Sequence, residues 1–93
     1  MIKSFANEAA RAAWERRYIK GYPNDVLRIA HRKLTQLHNA RDLNDLRAPP
    51  GNRLEALKGD RAGQHSIRIN RQWRVCFVWR DGDAHKVEIA DYH

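Results

Sequence analysis

The sequence predicts an α+β fold in which two N-terminal helices pack on one face of a small twisted antiparallel sheet. In the first 40 positions apolar residues recur at helical spacing, whereas beyond residue 65 they alternate with polar ones, as in strands. Between the two patterns, Pro49, Pro50 and Gly51 interrupt regular structure. Because 93 residues suffice for one modest core, we expect a single domain over residues 1–93.

The first helix is predicted after a short apolar start at residues 2–5, which is a candidate edge strand. Asn7 can cap a helix through EAARAAWERRY, where the alanines favour helix formation. Ala10, Trp14 and Tyr18 recur on one side of that helix and are expected to face the core. The segment KGYP then ends it.

The second helix has the clearest pattern in the sequence. Asn24 or Asp25 can cap it, and the apolar side chains that follow form one stripe, which Lys33 interrupts although its methylene stem can lie along apolar surface. The stripe consists of Val26, Ile29, Ala30, Leu34 and Leu37. After it, ARDLNDLRAPPGN predicts a break with room for one short helical turn.

The C-terminal third, HSIRINRQWRVCFVWRDGDAHKVEIADYH, predicts the sheet. Its apolar residues alternate with polar ones, and Asp81-Gly82 is a hairpin signal. The side chains expected to face the helices are Ile67, Ile69, Trp73, Val75, Phe77, Trp79, Val87 and Ile89. By the same alternation, Arg74 and Tyr92 should share the opposite, helix-free face, whereas Asp91 and His93 have the other parity.

Composition narrows the class of protein. No stretch is long and apolar enough to span a membrane, and the N-terminus lacks the apolar region of a signal peptide, so we expect a cytoplasmic protein. A single cysteine excludes an internal disulfide and a thiolate zinc cluster. The net charge is +7, and residues 53–80 carry seven basic but only two acidic side chains. This concentration indicates a surface for nucleic acid.

Glu55, Lys58 and Arg61 come just before the main strands and are expected near the same basic surface. A carboxylate among arginines can accept a proton, and an imidazolium on the far side of a phosphodiester can donate one. This pairing suits acid–base cleavage of RNA without a metal or another cofactor. Glu55 has an alternative interpretation, as a surface carboxylate that pairs with Arg53 or Lys58.

LKGDRAGQHSIRINRQWRVCF, followed by DYH at the end, resembles the HigB branch of the RelE-like toxins of bacterial toxin–antitoxin modules. The likeness extends from MIKSF through PNDVLRIAHRKL to the terminus. It implies two helices on an antiparallel sheet, cleavage of mRNA in the ribosomal A site, and a helix-turn-helix antitoxin as partner.

The resemblance also implies roles for individual residues. The transition-state arginine falls on Arg74, and Lys58 matches a residue that holds RNA phosphate. The related YoeB branch has a glutamate where Glu55 stands, which makes Glu55 the expected general base. The C-terminal catalytic group is Asp91, Tyr92 and His93, with His93 as the acid. Further RNA contacts are expected from Arg61, Arg68 and Arg71.

Two other functions remain open from the sequence. Related ParE toxins inhibit DNA gyrase by binding, without cutting RNA, and fold alone does not separate them from nucleases. A basic RNA-binding module without activity is the third possibility. The set Glu55, Arg74 and His93 favours the nuclease, because a protein that acts only by binding does not need it.

Overall fold

The computed structural model describes residues 1–92 and has the predicted α+β architecture. Two helices pack on one face of a four-stranded antiparallel sheet whose strand order is β1-β2-β3-β4. The helices are α1 (Glu8–Trp14) and α2 (Asn24–Asn39). The strands are β1 (Glu55–Ala56), β2 (His65–Arg68), β3 (Trp73–Arg80) and β4 (Asp83–Asp91). No helix within residues 1–92 is long and apolar enough to cross a membrane.

The core lies between the helices and the sheet face that the alternation predicted. From the sheet it receives Ile67, Ile69, Trp73, Val75, Phe77, Val87 and Ile89, all buried, with Trp79 partly buried at its edge. From the second helix it receives Val26, Leu27, Ala30, Leu34 and Leu37. The apolar N-terminal start runs parallel to β4 through isolated bridges of Ile2 to Ala84 and Phe5 to Val87.

Asn7 begins α1 as predicted and also fastens that helix to the sheet. Its Oδ1 accepts from the backbone N–H of Ala10 at 3.0 Å, while its Nδ2 donates to the Ile89 carbonyl at 3.0 Å. One side chain therefore both caps the helix and attaches it to β4.

Helix α1 ends at Trp14, earlier than predicted, and Tyr18 is 56% exposed instead of facing the core. Arg16 has a φ of 59°, the left-handed conformation that stops a helix. The N–H groups of Arg16 and Arg17 then bond back to the carbonyls of Ala13 and Ala12, which closes the last turn.

The start of α2 also differs from the prediction. The capping position is Pro23, without a side-chain capping bond, and Asn24 is already helical. Asp25 lies in the first turn, where its Oδ1 accepts from the Val26 N–H at 3.0 Å. An acidic group there is still favourable, because it faces the positive end of the helix dipole.

The segment between α2 and β1 is held in place by a buried side-chain amide, which the sequence pattern did not reveal. Two short 3-10 helices, Leu43–Arg47 and Pro50–Asn52, occupy this segment. Asn52 is fully buried, and its Nδ2 donates to Gln36 Oε1 and to the carbonyls of Leu46 and Ala48. Its Oδ1 accepts from the Lys33 ammonium at 2.6 Å. The loop is thereby tied to α2.

We expect Asn52→Ala to lower the free energy of unfolding by about 2–4 kcal/mol, because it leaves Lys33 and two backbone carbonyls without their partner. Denaturant unfolding measures the loss. The matched control is Asn39→Ala at the exposed C-terminal end of α2, expected to change stability by less than about 0.5 kcal/mol. Similar losses for both variants would contradict the role given to Asn52.

Candidate functional site

A cleft of about 430 Å³ opens on the helix-free side of the sheet. Its walls come from the loop before β1, from β1 and β2, from the β2–β3 turn, from β3 and from the residue after β4. The lining residues are Arg53, Glu55, Arg68, Asn70, Arg71, Arg74 and Tyr92. They include four guanidinium groups and one carboxylate, so the cleft has an excess of positive charge.

Arg74 is fixed in the cleft by two hydrogen bonds. Its Nε donates to the hydroxyl of the buried Ser66 at 2.7 Å, and its Nη2 donates to the carbonyl of Arg53 at 2.7 Å. Ser66 stands on β2 and Arg53 precedes β1, so two neighbouring segments orient one side chain. A guanidinium held this way keeps its charge and donors aimed before a ligand arrives, which is the arrangement that stabilises developing negative charge.

Tyr92 shares this face with Arg74, as the strand alternation predicted. Its backbone N–H donates to the Gln72 carbonyl, and the Arg74 guanidinium carbon lies 6.0 Å from its ring centroid. The buried Cys76 thiol approaches the phenol oxygen at 3.9 Å. Burial raises the pKa of Tyr92, and the neighbouring Cys76 raises it further, while Arg61 and Arg74 oppose the shift. The phenol is therefore protonated near neutral pH and can donate a hydrogen bond.

Burial is also the main cause of the raised pKa of the Cys76 thiol, which the contact with Tyr92 and the nearby Arg61 only partly offset. Cys76 lies on β3 under the cleft and is fully buried. Its thiol is thus neutral near pH 7, and it is not activated as a nucleophile.

This thiol gives an expected pH dependence of stability. Above its ordinary pKa of 9.0, the unfolded chain loses the Cys76 proton while the folded protein keeps it, so stability falls as pH rises. Cys76→Ala should make that decline shallower, by up to about 1.4 kcal/mol per pH unit. Denaturant unfolding at a series of alkaline pH values measures the slope, with Val78→Ala on the same strand as control. Equal slopes in wild type and Cys76→Ala would contradict this expectation.

Glu55 is exposed at the mouth of the cleft. It pairs with Ser66 across β1 and β2, and residues opposite each other on neighbouring strands project to the same face, here the face of Arg74. Within residues 1–92 its carboxylate forms no ion pair with Arg53 or Lys58, contrary to the alternative interpretation of a paired surface group. The carboxylate is therefore available to a ligand.

The other arginines of the cleft are placed close to like charges. Arg68 stands directly across from Arg74 on the neighbouring strand, a pairing that is unfavourable between like charges. Arg71 is exposed in the turn that follows β2. Among residues 1–92, neither Arg68 nor Arg71 has an acidic partner within salt-bridge distance. An anion bound between Arg68 and Arg74 would reduce the repulsion between these two side chains.

Two predicted RNA contacts lie outside the cleft lining. Arg61 donates through Nη1 to Glu88 and to Gln64 Oε1, and the bond to Glu88 is the main cause of its raised pKa. This ion pair fastens the segment after β1 to β4. Lys58 precedes the 3-10 helix Gly59–Arg61 in the same segment and is exposed, but it is not a lining residue.

The predicted C-terminal group is only partly brought together. Tyr92 lines the cleft, but Asp91 does not, and its Oδ2 accepts from Gln72 Nε2 at 3.1 Å. Its opposite strand parity, noted from the sequence, accounts for this difference. His93, the expected acid, lies outside the described residues.

Arg53 and Asn70 are lining residues that the sequence interpretation did not assign. Arg53 has a φ of 45° and supplies the carbonyl that holds Arg74, a contact that no sequence pattern encodes. Asn70 follows β2, and its Oδ1 accepts from the N–H groups of Gln72 and Trp73. Asparagine favours turns, because its side chain can accept from backbone N–H groups two residues further on. This preference could have identified Asn70 from the sequence.

The donor set does not indicate a metal centre. Within the part of the chain that the structure describes, no three histidine, cysteine, aspartate or glutamate side chains group closely enough to hold an ion. The cleft instead presents arginines, which bind anions.

The fold and the cleft together define a class: a small α+β protein with a basic cleft on the helix-free face of its sheet. Comparison with known proteins gives the particular family. Residues 3–93 match the family of HigB-like toxins, described as the RelE-like toxin of the type II toxin–antitoxin system HigB. The chain belongs to this family.

Relatives agree with that assignment. A protein named Toxin HigB-1 from Vibrio cholerae serotype O1 is 47% identical over 62 residues, which are 67% of this chain and 65% of that protein. Endoribonuclease HigB from Proteus vulgaris is 36% identical over 94 residues, covering all of both chains.

Solved structures support the fold. A chain of the YoeB–YefM toxin–antitoxin complex from Staphylococcus aureus aligns with a TM-score of 0.62 at 17% identity, covering 100% of this chain and 98% of that one. A second structure of the complex from the same organism aligns with a TM-score of 0.58. The predicted HigB resemblance and the RelE-like fold are therefore confirmed.

Proposed function

We propose that this chain is an endoribonuclease toxin that cuts mRNA in the ribosomal A site. The observation that carries the proposal is the cleft, where a carboxylate without an ion-pair partner among residues 1–92 faces a fixed guanidinium and a protonated phenol. Membership of the HigB-like toxins and the full-length relative named Endoribonuclease HigB support it.

In the proposed reaction, Glu55 accepts the proton of a ribose 2′-hydroxyl, and the resulting oxygen attacks the adjacent phosphorus. The bond from phosphorus to the 5′-oxygen then breaks, and an acid protonates that leaving oxygen. The products are a 2′,3′-cyclic phosphate and a free 5′-hydroxyl. Arg74 stabilises the additional negative charge on the phosphorus centre, because its two anchoring bonds hold it in place.

We assign the remaining roles from position, from protonation and from the family resemblance. We assign the acid to His93 on the family resemblance, and Tyr92 donates its phenol hydrogen bond to the substrate. Arg68 and Arg71 bind phosphates along the strand, while Lys58 and Arg61 are less direct, since neither lines the cleft. Asp91 receives no contact with substrate in this proposal, because it is held at the side of Gln72. All steps use side chains of the chain itself.

The shape of the cleft supports dependence on the ribosome. An open surface of this size does not confine a flexible single strand of RNA. Without such confinement, the enzyme lacks much of the rate gain that comes from orienting the reacting groups. We propose that the ribosome supplies the order by presenting the message in its A site. The toxin then acts in the cytoplasm, and a cognate antitoxin of the helix-turn-helix type keeps it inactive.

Primer extension on mRNA, with and without the protein, tests this function. We expect cuts linked to codon positions on translated message, and little cutting of the same RNA without ribosomes. Intact message together with gyrase-dependent DNA breaks would overturn the proposal in favour of a ParE-like inhibitor. Ribosome binding without any cut would leave only an RNA-binding module.

A further inference from the structure

The loop between β1 and β2, residues 57–64, reaches across the helix-free face of the sheet. Its Arg61 donates to Glu88 on β4, although β2 and β3 lie between β1 and β4 in the sheet. Arg61 also donates to Gln64 Oε1 at 3.1 Å, within the same loop. We call Arg61 and Glu88 the cross-sheet ion pair, because it joins the loop beside one outer strand to the other outer strand.

Little else in this loop is anchored by burial. Strand β1 has only two residues, both exposed, at the edge of the sheet. No residue from 57 to 64 is fully buried, and the Leu57 N–H closes the base of the loop by donating to the Gln64 carbonyl at 2.9 Å. A segment with so few buried contacts opens at a low cost in free energy. Its position over the sheet therefore depends on the contact of Arg61 with β4.

The cross-sheet ion pair is suited to that task by its burial. Its side chains are 33% and 22% exposed, which makes it the least exposed ion pair among residues 1–92. An exposed pair contributes little, whereas removal of one partner from a partly buried pair leaves the other charge without compensation. Arg61 and Glu88 should therefore act as a unit.

The ion pair lies beside the groups that are proposed to cleave RNA. Residues that face each other across the four strands form one row on the helix-free face, and this row consists of Glu55, Ser66, Cys76 and Glu88. The Tyr92 phenol oxygen lies 3.9 Å from Cys76 in that row. Burial raises the pKa of Tyr92, and the charge of Arg61 is among those that oppose the shift. Arg61 thus acts on the phenol as well as on Glu88.

We propose that Arg61 and Glu88 are positioning residues for RNA cleavage, whose ion pair holds the β1–β2 loop across the sheet so that Glu55 and Tyr92 face the same phosphodiester. This inference rests on the proposed endoribonuclease function. It replaces the direct RNA contact expected of Arg61 from the sequence, because that guanidinium is already engaged by Glu88 and Gln64.

Glu88→Ala is the decisive variant. It makes a basic face more positive, so a purely electrostatic role would leave RNA binding equal or tighter. We expect instead that the cleavage rate on saturating ribosome-bound message falls by roughly 10- to 100-fold, the cost of small misplacements in a site, while the half-saturating concentration changes by less than about threefold. The matched control Glu15→Ala removes an exposed ion-pair carboxylate on the helical layer and should cut within about twofold of wild type.

The double variant R61A/E88A tests whether the two residues act through one contact. We expect it to cut no more slowly than the slower single variant, because the second substitution removes nothing further. Rates that fall multiplicatively would overturn the proposal. So would normal cutting by Glu88→Ala together with a raised half-saturating concentration for Arg61→Ala, which would identify Arg61 as an RNA contact.

Hydrogen exchange separates this inference from the nuclease proposal. In Glu88→Ala the Leu57 amide is expected to exchange about tenfold faster, because the loop opens more often, while the amides of β3 keep their protection. Unchanged exchange at Leu57 would show that the ion pair does not hold the loop and would overturn the inference. If the wild type cuts no message, the nuclease proposal fails, and faster exchange at Leu57 would still establish that the ion pair holds the loop.

Discussion

Arg74→Ala is expected to lower the rate of mRNA cleavage by roughly 100- to 1,000-fold, the usual cost of removing one pre-aimed donor to developing charge. The guanidinium is held by Ser66 and by the Arg53 carbonyl. A neighbouring cationic side chain lacks those two anchors and therefore cannot replace Arg74. Primer extension on translated message gives the rate, and loss of growth arrest in cells should accompany it.

Arg74→Lys makes the expectation sharper. An ammonium keeps the charge but lacks the planar fork that reaches Ser66 and Arg53 together, so we expect most of the activity to be lost with it too. Arg80→Ala, exposed at the other end of the same strand, is the control and should cut normally. Full growth arrest by Arg74→Ala would refute the catalytic assignment.

Glu55→Gln is expected to lower cleavage by roughly 100- to 10,000-fold, the range for loss of a general base. The amide has the shape of the carboxylate but cannot take the 2′-hydroxyl proton. Because Glu55 is exposed and makes no ion pair within residues 1–92, its replacement should leave the Tm unchanged.

Asp60→Asn is the matched control for Glu55, since it neutralises an exposed carboxylate in the segment just after β1 without touching the cleft. Its cleavage should equal that of wild type. If Glu55→Gln also cuts at the wild-type rate, the base must be sought elsewhere, and Glu55 returns to being a surface carboxylate.

The sequence predicted the parts of this structure that depend on regular spacing. Alternation identified the buried face from Ile67 to Ile89 and placed Arg74 and Tyr92 together, because side chains along a strand alternate between its two faces. The amphipathic stripe likewise located α2 and its core face. The same parity separated Asp91 from Tyr92, as observed.

What the sequence could not show depends on contacts between residues far apart in the chain. Arg53 enters the cleft through its backbone carbonyl, which every residue type has. Asn52 is a polar residue in a loop by pattern, yet it is the buried centre of four hydrogen bonds. Arg16 ends α1 in a conformation usually reserved for glycine, so the helix was predicted too long. None of these features has a periodic signature.

The burial of Asn52 has a consequence for how the protein loses activity on heating. Arg53, whose carbonyl holds Arg74, is the next residue in the chain, so this side of the cleft is tied to α2 through the Asn52 amide. Loosening of that contact would remove one of the two anchors of the Arg74 guanidinium and leave the bond to Ser66. Heating, or a substitution at Asn52, should therefore lower the cleavage activity at temperatures below the Tm.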